Sequence, residues 1–291
     1  MTNQCTDKGK EVLILENLKE KGYKMQNKAV GVDLAHTLLV MKELGKLHAA
    51  SILLATRLKM DLTHKYDFFQ TEWTEKFNWG SDWGQFMDQY LDTGLMMFEA
   101  MGGCDKVTAW LRKVKPQAWP RYRQLIARKA PFDAIIHGDC WINNMFFRYD
   151  DAGHPEGVTF LDLQGSRVAS VALDLQHFLN LNVPDTVRRD NFDTIISTYY
   201  DSFRRTVSGG GVAAPFTLEQ LREEYEDKGL YGVLYAIMWL PCMLSTDDGV
   251  YPFESEAVRR ATVQQMVHTN PALRLALLSV MEEWSQRGLI S

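Results

Sequence analysis

Two polar loops set among short β-type runs constrain this chain more than any other feature. Ala134-Ile135-Ile136 leads into His137-Gly138-Asp139-Cys140-Trp141-Ile142-Asn143-Asn144, and Met145 to Tyr149 leads out of it. Val158-Thr159-Phe160-Leu161 then ends in Asp162-Leu163-Gln164. Short β-branched and aromatic runs bounded by turn residues read as strands, with a turn over residues 150 to 157. Asp139 and Asn144 are five residues apart, and Asp162 follows one hairpin later. Any fold that suits this pattern holds all three at strand-loop junctions.

Those residue types suit phosphoryl transfer, where catalysis is mainly positioning and charge neutralisation around phosphates. Magnesium prefers hard oxygen ligands and keeps waters and phosphate oxygens in its remaining positions, so Asn144 and Asp162 are candidate metal ligands. Asp139 lies upstream of Asn144 in the same loop, where a base can meet a substrate hydroxyl. His137 reads either as a general base or, as better suits an H-x-D loop, as a support that packs under the loop and hydrogen-bonds backbone near Asp162. Gln164 either holds the turn or reaches the substrate. Asp174, at the start of what reads as an amphipathic helix, is either a first-turn carboxylate favoured by the helix dipole or an anchor for the Asp139 loop.

Around this centre the pattern is helical. Val12 to Leu15 is an isolated apolar run that reads as a buried strand. Asp33 caps a long helix carrying Leu34, Leu38, Met41, Leu44, Leu47 and His48 and continuing to Leu54. Further helices are predicted at 83–101, 104–114, 117–129, 172–182, 185–206, 217–242, 254–268 and 271–287. Residues 60–82 read as a loop, and Ser208 to Gly211 as a flexible linker. The aromatic set Trp73, Phe77, Trp79, Trp83 and Phe86 reads as core or as a pocket lining. His48 reads as a satisfied core histidine.

A net charge of -5 and the lack of a long basic run argue against a nucleic-acid partner. No window approaches the roughly 20 apolar residues of a membrane span. Residues 1–20 lack the uninterrupted apolar run of a signal peptide, and the four cysteines form neither a disulfide framework nor a metal knuckle. These features lead us to expect a cytoplasmic protein.

With those residues in hand, the chain resembles the choline/ecdysteroid kinase-like family, which is similar to aminoglycoside phosphotransferases and choline kinases. The resemblance is carried by Leu13 to Lys24, Leu44 to Ser51, His137 to Asn144, Phe160 to Gln164 and Leu173 to Leu179; Leu163 stands where the family usually has Phe. It implies a mostly helical α+β chain with a protein kinase-like fold: a carboxy-terminal lobe over 25–291 with a small β-hairpin catalytic region, and a residual hinge strand and linker over 1–24. It further implies ATP and Mg²⁺ as cofactors, Asp139 as catalytic base, Asn144 and Asp162 as metal ligands, and the backbone of Glu16, Asn17 and Leu18 as the adenine-binding hinge. The acceptor would be a hydroxyl of a small molecule such as a steroid or another lipophilic alcohol. Only eleven residues precede Val12, too few for the family's amino-terminal lobe. The expectation is therefore of half a phosphate clamp, with weak ATP binding and low turnover. The alternative is a catalytically impaired lobe that binds a ligand or a partner.

Overall fold

The computed structural model describes residues 15–70, 83–245 and 255–291. Within them the chain is mostly helical α+β, with two small antiparallel sheets. The longer helices are α1 (Leu34–Leu58), α2 (Trp83–Met101), α3 (Asp105–Val114), α4 (Ala118–Ile126), α5 (Ala172–Asn182), α6 (Phe192–Gly209), α7 (Leu218–Asp227), α8 (Gly229–Leu244), α9 (Glu256–Thr269) and α10 (Pro271–Gln286). The strands are β1 (Asp133–Ile136), β2 (Met145–Tyr149), β3 (Pro155–Phe160) and β4 (Arg167–Ser170). None of the described helices is long and apolar enough to cross a membrane.

Helix α1 begins where its cap demands. The Asp33 carboxylate accepts a hydrogen bond from the His36 N–H at 2.9 Å, satisfying a donor that the helix leaves open. Its buried face carries Val40, Met41, Leu44, Gly45, His48 and Ala49. At Gly45 the backbone of α6 passes so close that a Cβ would sit 2.7 Å from the Tyr199 carbonyl oxygen. Ser202 Oγ of α6 donates to the Lys42 carbonyl at 2.6 Å, and Ser51 Oγ accepts the Ile135 N–H of β1 at 2.9 Å. The small-residue segment of α1 thus joins the helical layer to the strands.

The strands are nested. β2 and β3 form the inner antiparallel ladder, while β1 pairs antiparallel with β4 outside them. Strand β4 has no counterpart in the sequence reading, since Arg167-Val168-Ala169-Ser170 is too short and polar to show a period of its own.

Several expectations are corrected. Helix α5 is not amphipathic, because all eleven of its residues are buried. Its polar side chains bond internally: Gln176 Nε2 donates to the Tyr225 carbonyl at 2.7 Å, and Trp284 Nε1 to Asn180 Oδ1 at 3.2 Å. The helix predicted over 185–206 is a single turn, Asp185–Arg188, followed by α6. The buried Arg188 guanidinium fixes that turn, donating to Glu283 at 2.6 Å and to the Leu179 and Val183 carbonyls. The helix predicted over 217–242 breaks at Lys228, whose ammonium donates to the Leu125 carbonyl at 2.6 Å.

Ser208 to Gly211 is a compact helix end rather than a flexible linker, since Val212 N–H returns to the Val207 carbonyl at 3.2 Å and Gly210 packs on Leu53. Residues Leu62–Lys65 and Asp67–Phe69 form short helical turns within the expected loop. The run from Val12 to Ile14 lies outside the described residues, and Leu15 at its end is 69% exposed rather than buried.

Candidate functional site

Nesting explains why two loops distant in sequence meet. Ile136 pairs with Arg167 in the outer ladder and Met145 with Phe160 in the inner one. The chain therefore crosses between ladders twice at the same end, at 137–144 and at 161–166. Leu161 N–H donates to the Asn144 carbonyl at 2.8 Å, and Ser166 Oγ to the His137 carbonyl at 3.3 Å. These bonds hold Asp162 and the Asp139 loop in adjoining segments.

Within the first loop, Asn144 Nδ2 donates both to the Asp139 carbonyl at 3.0 Å and to its carboxylate at 2.9 Å. The amide nitrogen is thereby committed to Asp139, which leaves the Asn144 Oδ1 lone pairs for another partner. Burial raises the Asp139 pKa above the ordinary carboxylate value, and the charges of Asp162 and Asp174 add to the rise, against the Asn144 hydrogen bond and the attraction of His137.

Asp162 is exposed and adopts φ 57°, the left-handed region that Asp tolerates better than most residues. Gln164 Nε2 donates to its carboxylate at 3.0 Å. Among the described residues no three His, Cys, Asp or Glu side chains gather as a metal cage.

Asp174 holds the loop from below. Its carboxylate accepts the His137 N–H at 2.7 Å, the Gly138 N–H at 2.9 Å and, with His48 Nε2, a third contact at 3.1 Å. His48 Nδ1 in turn meets the Tyr199 hydroxyl at 2.8 Å. Burial alone pushes the Asp174 pKa up, but the hydrogen bond and attraction of His48, with help from His137 and the Gly138 N–H, bring it down to about 2. Asp174 thus lies in the first turn of α5 and accepts two backbone N–H groups of the loop. His137 Nε2 lies 2.9 Å from the Leu161 carbonyl, which can only accept. Its Nδ1 lies 3.3 Å from the Asp139 N–H, so the ring touches both loops.

Gly138 has φ +77°, and a Cβ there would meet the Gly165 carbonyl oxygen at 2.0 Å. Neither the backbone angle nor the space admits a side chain. We expect Gly138→Ala to force the loops apart and to lower the thermal midpoint by several degrees. An unfolding curve that matches the parent protein would contradict this.

A cavity of about 370 Å³ opens beside Asp139, with Trp141, Gln164, Leu181, Tyr235 and Trp239 in its wall. Neither Asp162 nor the Glu16 to Leu18 stretch lines it. Glu16 and Asn17 are exposed. Asn17 caps a short 3-10 turn, accepting the Lys19 N–H at 3.2 Å, while Tyr23 N–H donates to the Leu18 carbonyl at 3.1 Å. Two Lys24–Phe147 backbone bonds of 2.8 Å then dock this segment on β2. Trp83 and Phe86 are not in the wall of the cavity and pack together at 4.8 Å, whereas Trp73, Phe77 and Trp79 lie outside the described residues.

The sequence reading missed three supporting residues. It read His48 as a satisfied core histidine, which the ring's burial and two hydrogen bonds bear out, without naming Asp174 as its partner. Asn182 Oδ1 accepts the Ile142 N–H at 2.8 Å and so pins the far side of the loop. His177 shares the cavity wall. All three are polar residues in buried helices, and their spacing carries no signal of what they face.

The sequence profile of the ecdysteroid kinase-like family matches residues 2–209, well over half of the chain. No curated protein matches. Among solved structures, the chain is similar to an ethanolamine kinase of Plasmodium vivax at 12% identity with a TM-score of 0.36, over 88% of this chain. The matched region spans 64% of that kinase's length.

Proposed function

The chain belongs to the ecdysteroid kinase-like family, and from that membership and the geometry around Asp139 we propose that it transfers the γ-phosphate of ATP to a hydroxyl of a small lipophilic alcohol. The observation that carries this reading is Asp139 itself. It is held by Asn144 at 2.9 Å, lies on a loop adjoining that of Asp162, and forms part of the wall of an apolar cavity of a size suited to a small molecule. A half-buried carboxylate beside such a cavity suits a general base.

In this proposal Asp139 accepts the proton of the acceptor hydroxyl as its oxygen forms a bond to the γ-phosphorus, and ADP leaves. Asn144 keeps the carboxylate oriented. Asn144 Oδ1 and the exposed Asp162 carboxylate would supply oxygen donors of the kind Mg²⁺ prefers. The metal would neutralise charge on the phosphates. The backbone of Glu16, Asn17 and Leu18 would meet the adenine edge, residues 1–24 would act as hinge strand and linker, and residues 25–291 would form the carboxy-terminal lobe of a kinase-like fold. Gln164, which lines the cavity and bonds Asp162, would link acceptor and metal.

The direct test is ADP release from ATP and Mg²⁺ with a panel of lipophilic alcohols, followed by mass detection of the phosphorylated product. Alcohol binding without ADP release would favour a ligand-binding lobe instead. We expect Asp162→Asn to weaken Mg²⁺-nucleotide affinity by about tenfold or more, because it removes a charge that the cation needs. Isothermal titration with Mg²⁺-ATP measures this, and equal affinities would dismiss Asp162 as a ligand.

The base must be ionised to act, so activity falls as pH drops through the Asp139 pKa. Burial places that value above the ordinary 3.8. The acid limb of log kcat/KM is therefore expected above pH 3.8, and a limb at or below that value would remove Asp139 from the role.

A further inference from the structure

The wall of the cavity beside Asp139 is mostly apolar, but it includes one buried side chain whose hydrogen-bonding capacity is unused. His177 of α5 is 4% exposed and borders the cavity. Its Nδ1 is sealed off and has no hydrogen-bond partner. Among the described residues no donor or acceptor reaches Nε2 either. The Tyr235 ring packs against the imidazole at 4.9 Å and holds it in place. Burial lowers the His177 pKa to about 3, so at neutral pH the ring is uncharged and presents one N–H donor and one lone pair. A buried polar group left unpaired costs roughly 1 to 3 kcal/mol, and neighbouring polar residues of the same helix, Gln176 and Asn180, are both bonded. His177 stands apart from them where the helix borders the cavity.

We propose that His177 is the specificity-determining residue of the acceptor pocket, hydrogen-bonding a second oxygen of a neutral, otherwise apolar alcohol whose reacting hydroxyl lies at Asp139. This deepens the phosphotransferase reading and rests on it for the identity of the reacting end. The substrate class that follows is a lipophilic molecule with two oxygen functions, one phosphorylated and one read by the imidazole. A monofunctional alcohol would leave the ring unpaired and bind more weakly.

Trp141 and Trp239 in the cavity wall supply a readout that needs neither nucleotide nor turnover. The full chain is titrated, by intrinsic tryptophan fluorescence, with androstanol and with epiandrosterone, which has the same ring system and hydroxyl plus a ketone at the opposite end. We expect the ketone-bearing steroid to bind about tenfold more tightly, and His177→Phe to bring the two affinities to within about twofold. His177→Gln, which keeps a donor, retains part of the preference. A side chain that only supports the fold would weaken both ligands alike and leave their ratio unchanged.

Equal binding by the parent protein, an unchanged ratio in His177→Phe, or no binding of either steroid overturns the proposal. Should His177→Phe not fold, a preference in His177→Gln as large as the parent's overturns the proposal, and a reduced one supports it. Preferential, His177-dependent binding without phosphotransfer to any alcohol would instead sink the kinase reading alone.

Discussion

Asp139→Ala is expected to lower phosphotransfer by about 10²- to 10⁴-fold, the range for loss of a positioned base, without destabilising the protein. The two halves of this expectation have one cause. Burial raises the Asp139 pKa, so the folded protein holds that proton more tightly than the unfolded chain does. By linkage, stability falls as pH rises through the interval between the unfolded value of 3.8 and the folded one. The ionised carboxylate at neutral pH is thus a burden on the fold. Its removal relieves that burden and leaves Asn144 Nδ2 its second acceptor, the Asp139 carbonyl at 3.0 Å. Single-turnover rates and urea unfolding of parent and variant measure both quantities. A rate within a few-fold of the parent would take Asp139 out of the reaction, and a large loss of stability would show that its role is structural.

Asp174→Ala should do the opposite, with the larger effect on folding. Its carboxylate is 1% exposed and serves the N–H groups of His137 and Gly138 together with His48. Deleting it strands these donors in the core, and the cost for a buried partner removed in this way is about 3 to 5 kcal/mol. For a chain of this length the thermal midpoint would drop by on the order of 10 °C. Activity would fall as well, because nothing else among the described contacts ties the His137 and Gly138 backbone to α5.

The pH dependence has a definite sign. The Asp174 pKa is about 2 in the folded protein against 3.8 ordinarily. Its contribution is fully present above about pH 4 and is lost as pH falls towards 2. Asp174→Asn, which keeps the shape without the charge, should flatten the acid limb of the stability curve. An acid limb as steep as the parent's would show that other carboxylates carry it.

Much of the arrangement around Asp139 was visible in the sequence because it is local. Asp139 and Asn144 share one loop, so their spacing alone brings amide to carboxylate. Asp162 could be placed because a strand must end there. Helices α1 and α2 were legible to within a few residues from their apolar period, and the Asp33 cap from its chemistry. The split of 185–206 was not legible. It depends on Arg188 reaching Glu283, a residue of another helix that no local pattern announces.

The sequence by itself determined which side chains carry oxygen, how far apart they sit along the chain, and which family the chain resembles, because these depend on neighbours a few residues away. Only the tertiary structure decided that β4 closes over β1, that His48 and His137 converge on Asp174, and that α5 and α8 leave an apolar cavity beside Asp139. Those outcomes depend on where whole helices and strands pack. Packing is set by the sum of many weak contacts between segments remote in sequence, and no single stretch of residues contains it.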